Sequence, residues 1–69
     1  MNLNLEFRTL KYKHIGCRYY ALYEMTKEMW CIVIYADDEE EILFSSVELD
    51  YATALHKYNT IKDNPSEYL

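Results

Sequence analysis

Residues 29–36, Met-Trp-Cys-Ile-Val-Ile-Tyr-Ala, carry no charge and are β-branched or aromatic through their centre. A strand with one wet face alternates apolar and polar side chains, so a short unbroken apolar run reads as a central strand covered on both faces. On its N-terminal side, Cys17, Tyr19, Ala21, Tyr23 and Met25 share one face of a second strand, and Arg18, Tyr20, Leu22 and Glu24 share the other. Thr26-Lys27-Glu28 joins the two as a hairpin that sets Cys31 opposite Tyr23 and Met29 opposite Met25. Further out, Leu3, Leu5 and Phe7 alternate with Asn4, Glu6 and Arg8. Leu10 and Tyr12 continue the alternation with switched parity, which predicts a bulge near Thr9-Leu10. Lys13 to Gly16 holds the only glycine and forms the first turn.

On the C-terminal side, Asp37 to Glu40 reads as a charged turn and Glu41 to Ser45 as a short fourth strand. The period then lengthens. Ser45 with Glu48 three residues on has the pattern of a helix capping box. Val47, Tyr51, Ala54, Leu55, Tyr58 and Ile61 fall on one helical stripe, with Asp50, Thr53, His56, Lys57 and Thr60 mostly outside it. Asn64-Pro65 ends the helix. The expected fold is α+β: an antiparallel meander of three or four strands followed by one C-terminal helix packed on one face. Residues 1–64 form one domain and 65–69 a flexible tail. One helix covers one face, so Trp30, Tyr20 and Leu22 are expected opposite it, forming either an aromatic interaction surface or the inside of a strongly curled sheet.

A chain of 69 residues that is 51% hydrophobic, with eight tyrosines, one glycine and one proline, does not have the composition of a disordered protein. A domain of this size removes only about 60% of its unfolded surface from water, so burial against a partner or a second copy, a homodimer through the sheet face, is expected to add stability. No apolar run approaches the roughly 20 residues of a membrane span, and Glu6 and Arg8 stand where a signal peptide needs an apolar stretch. A cytoplasmic protein without a membrane partner is therefore expected. The hairpin register puts Cys17 about 20 Å from Cys31 at ~3.3 Å per residue, too far for a disulfide.

Chemistry is sparse. His14 and His56 stand at no metal-ligand spacing and no C-x-x-C is present, so neither a metal nor a cofactor is expected. One glycine cannot build a phosphate-cradling loop, and no nucleophile has a histidine beside it in a recognisable context. The run Asp37-Asp38-Glu39-Glu40-Glu41 lacks the alternation and mid-loop glycine of a calcium loop. No catalytic residue is predicted, and the chain reads as non-enzymatic.

Charge is segregated. Residues 1–35 hold five cations against three acids, a net of +2, whereas residues 36–69 hold nine acids against Lys57 and Lys62, a net of −7. Between Asp37 and Asp50 there are seven acids and no base. Such a cluster opposes folding by self-repulsion and steers cationic partners. In length, acidity, tyrosine content and lack of a catalytic motif, the chain resembles the small phage-encoded inhibitors of host defence, anti-CRISPR proteins and other DNA mimics. That resemblance is one of profile, and it assigns no residue.

It implies an inhibitor whose acids occupy the basic groove of a nucleic-acid-handling complex. The candidate residues are Asp37, Asp38, Glu39, Glu40, Glu41, Glu48 and Asp50, with Tyr35 and Tyr51 as anchors. The partner is thus a protein with a basic surface, with no direct nucleic-acid contact. Two other readings are a subunit that assembles through its sheet face and a single-stranded nucleic-acid binder. The latter would use Lys11-Tyr12-Lys13 and Arg18-Tyr19-Tyr20, which interleave cations with aromatics.

Overall fold

A computed structural model describes residues 7–38 and 40–68. Four strands, β1 (Arg8–Ile15), β2 (Arg18–Thr26), β3 (Met29–Ala36) and β4 (Ile42–Glu48), precede one helix, α1 (Tyr51–Asp63), and a 3-10 turn at Pro65–Glu67. The strands form one antiparallel sheet in the order β1-β2-β3-β4. The fold is the α+β meander with a C-terminal helix on the sheet. Its extents of 31 × 27 × 15 Å are those of a slab one sheet and one helix deep. The expected strand pattern at Leu3 and Leu5 lies outside the described residues.

The apolar run at 29–36 is explained by its place. β3 lies between β2 and β4, and its alternate residues feed two separate clusters. On the helix side, Tyr20, Leu22, Ile32 and Ile34 pack with Ala54, Tyr58 and Ile61, ringed by Leu10, Trp30, Phe44, Leu55 and Tyr68. On the open side, Ala21, Tyr23, Cys31, Val33 and Tyr35 pack with Phe7, Tyr19 and Met25.

This corrects the expected faces: Tyr20, Leu22 and Trp30 lie under the helix, not opposite it. Strand alternation determines which residues share a face but leaves open which face the helix takes. The open face shields itself with its own tyrosines. Tyr23 pairs with Cys31 and Tyr35 with Tyr19, and the small pair Ala21–Val33 lies between them. Over it the two phenol hydroxyls meet at 2.9 Å. Tyr23 is left 3% exposed and Tyr35 8%, with no second layer over them among the described residues.

Local departures have local causes. The bulge expected near Leu10 is present, since Thr9 pairs with Tyr23 and Lys11 with Leu22, leaving Leu10 as the extra residue. The first turn is tighter than expected: β1 runs to Ile15, and Gly16-Cys17 reverse the chain with Gly16 at φ +62°, a region costly for any residue with a Cβ. Met29 pairs with Thr26 rather than Met25 because the register shifts after Glu24. The Thr26 hydroxyl then accepts the Glu28 N–H at 3.1 Å across the turn. Cys17 is exposed and Cys31 buried, both as free thiols.

The capping box at Ser45 and Glu48 does not form. β4 continues through Glu48, with Ser45 opposite Val33 and Ser46 opposite Ile32. The helix starts later, at Tyr51, and Asp50 is its N-cap, accepting the Thr53 N–H at 2.9 Å. Val47 is consequently a strand residue, 51% exposed, not part of the helical stripe. Of the segment 65–69, expected as a flexible tail, the described residues 65–68 turn back on the sheet. Tyr68 meets Phe44 edge to face at 5.7 Å, where burial of two aromatic surfaces favours docking.

Candidate interaction surface

The acidic residues follow β4, the edge strand that a four-strand meander must leave unpaired on one side. The β3–β4 turn is closed by the Ala36 N–H, which donates to the Glu41 carbonyl at 2.8 Å. Inside it, the Asp38 carboxylate accepts the N–H groups of Glu40 at 2.9 Å and Glu41 at 3.3 Å. These two bonds hold the Asp38 carboxyl below its ordinary range. At the opposite end, the Thr53 N–H and hydroxyl donate to Asp50 and lower its carboxyl likewise. Lys57 donates to Glu48 at 3.0 Å and to the Ser46 hydroxyl at 2.9 Å. The lysine first, and then the Ser46 hydroxyl that also donates to it, depress the Glu48 carboxyl.

The expected acids are therefore not equivalent. Asp38 and Asp50 are ionised but have structural work, shaping a turn and capping a helix. Glu48 has its charge offset by Lys57, and Asp37 lies 3.9 Å from His14 Nε2. Glu40 and Glu41 are exposed in the turn. Glu39 lies outside the described residues. The group is split between the two ends of β4, separated by about 23 Å at ~3.3 Å per residue over seven residues.

Between those ends, the edge displays apolar side chains that the charge pattern along the chain does not reveal. Ile42, Leu43, Val47 and Leu49 are all exposed, Leu49 at 75%. Leu43 is the extra residue of a further register shift, because Ile34 pairs with Phe44 and Tyr35 with Ile42. The signal was present in the order of strands: the last strand of a meander is an edge, and β4 has neither lysine nor proline, only the register shift at Leu43 and the terminal Glu48, to guard it. Tyr51 stays 41% exposed beside Trp30 on the helix side, with ring centroids 5.9 Å apart, whereas Ile42 and Val47 stand opposite Tyr35 and Cys31 on the open side. Tyr35 does not. It is buried on the open face and bonded to Tyr23, so its expected role as a surface anchor is replaced by a packing role.

The aromatic and cationic residues on the opposite edge also separate. Register puts Lys11 opposite Leu22 and Lys13 opposite Tyr20, on the helix side, whereas Tyr12 and His14 pair with Ala21 and Tyr19 on the open side. His14 stacks on Tyr19 at 4.2 Å, and Tyr20 is in the core. The interleaving seen along the chain is thus divided between two faces. Among the described residues, no group of three or more His, Cys, Asp or Glu is placed to hold a metal ion, and no helix is long and apolar enough to cross a membrane.

Comparison with known proteins finds no matching family model, no similar curated protein and no similar solved structure.

Proposed function

We propose that the protein is a non-enzymatic binding protein that docks its β4 margin on a cationic protein surface. The partner surface is a basic groove that otherwise holds nucleic acid, so that docking inhibits a nucleic-acid-handling complex. One observation carries this reading: an edge strand with exposed apolar side chains lies between carboxylates at both ends. Apolar contacts supply affinity that survives salt, and the flanking charges select a basic partner and speed encounter. Glu40, Glu41 and Asp37 form one charged end, Asp50 the other, and Tyr51 with Leu49 provides the anchoring apolar surface.

The test is capture of partners from a bacterial lysate by the wild type and by a variant carrying Asp37→Lys, Glu40→Lys and Glu41→Lys. A basic nucleic-acid-binding protein should be retained by the wild type, released by added nucleic acid and lost in the variant. Equal capture by both proteins removes the reading.

A further inference from the structure

The opposite margin of the sheet carries a separate feature. A groove of about 400 Å³ runs between β1 and α1, lined by Leu10, Lys11, Tyr12, Lys13, Tyr58, Asn59 and Lys62. Three of the chain's seven Lys and Arg residues line it, and among the described residues no carboxylate does. Among the described residues, the ion pairs Arg8–Glu24 and Lys57–Glu48 and the His14–Asp37 contact leave out all three of these lysines. In a chain of net charge −5, a groove lined by three lysines is a local inversion of the overall charge.

The β1 bulge creates it. Regular alternation from Leu10, which packs under the helix, would send Lys11 and Lys13 to the open face. The extra residue instead leaves Lys11 opposite Leu22 and Lys13 opposite Tyr20, both on the helix side. Bulges re-aim side chains in this way. From the helix, Asn59 and Lys62 stand three residues apart and face the same groove. Lys62 Nζ lies 5.8 Å from the Tyr58 ring centroid, so the buried tyrosine and Leu10 form an apolar floor under a cationic rim.

We propose that this groove binds a small oligophosphate, an anion of two or three linked phosphates. Lys11, Lys13 and Lys62 contact its oxygens, and the Asn59 amide serves as a neutral donor. Lysine suits phosphate as a compact point charge on a flexible stem. Bringing three such charges together without a counterion is unfavourable, and a multiply charged anion relieves that repulsion.

Titration with sodium tripolyphosphate, followed by NMR at low ionic strength, tests the site. Saturable shifts confined to residues 10–13 and 58–62 are expected, weaker with orthophosphate and with added salt. Each of Lys11→Gln, Lys13→Gln and Lys62→Gln should reduce affinity about threefold to fivefold, and the triple variant about 50-fold. A urea melt of each variant confirms that folding is retained. Absence of saturable shifts, or undiminished binding by the triple variant, overturns the proposal. Tighter binding of a single-stranded oligonucleotide at the same lysines also overturns it, by giving the groove to nucleic acid. Self-association that the triple variant abolishes does so too, by giving it to the acidic turn of a second copy.

Discussion

The hydroxyls of Tyr23 and Tyr35 meet at 2.9 Å on the face of the sheet that the helix does not cover. Each ring reaches toward the other from strands β2 and β3 across the small pair Ala21–Val33, so one hydrogen bond ties the two strands together over this cluster. A buried bond of this kind contributes about 1 kcal/mol net, and removing one partner of it costs more than removing both. Urea unfolding of Tyr23→Phe, Tyr35→Phe and the double variant should therefore give a coupling energy of about 1 kcal/mol. Additive losses would mean that the hydroxyls contribute independently.

The pH profile should show a plateau with two shoulders. Burial first, and then the bond to Tyr35, raise the Tyr23 phenol, while burial alone raises Tyr58. A raised acid contributes stability that is complete below its unfolded value of about 10 and is lost as pH climbs past it. Asp38, Glu48 and Asp50 are shifted down, so their contribution is complete above about pH 4 and lost as pH falls. Urea midpoints from pH 2 to 11 should decline at both ends, and Tyr23→Phe should flatten the alkaline decline only.

Ile61→Ala should destabilise by about 2–5 kcal/mol, because Ile61 is fully buried against the sheet. Val47→Ala should change stability by no more than about 0.5 kcal/mol, since the side chain faces water on β4. Denaturation midpoints of the two variants compare them directly. Had Val47 belonged to the helical stripe, the two losses would be similar.

The two thiols should differ in reactivity. Cys17, exposed at the first turn, should react with a disulfide reagent as soon as it is mixed, and Cys31 only as the chain unfolds. Burial both hides the Cys31 sulfur and raises its thiol. One fast thiol in the native protein and two in denaturant is the expected count.

How legible these features were depended on the range of the forces involved. β3 was clear at residues 29–36 because full burial suppresses polar residues on both faces, and the Leu10 bulge was clear because it breaks the parity of β1. The start of α1 was not. Ser45 and Glu48 satisfy a local capping pattern, but pairing with β3 and the long-range contact with Lys57 keep them in a strand, and Asp50 takes over the cap. Which side the helix would cover was illegible for the same reason: the choice depends on how Ala54, Tyr58 and Ile61 fit over Leu22 and Ile32, residues brought together only by folding. Of the surface, the acids and Tyr51 were visible in the sequence. The burial of Tyr35, the exposed apolar line of β4 and the convergence of three lysines on one groove required the register.

The two edges of the meander differ in sign. Arg8, Lys11 and Lys13 lie on β1, and Glu40, Glu41 and Asp50 flank β4, with the whole width of the sheet between them. Such a separation gives the molecule a large dipole moment in the plane of the slab. In the field of a charged neighbour it experiences a torque before any contact forms and turns one edge forward during approach. The proposed docking of β4 on a cationic surface would thus have its orientation biased before contact.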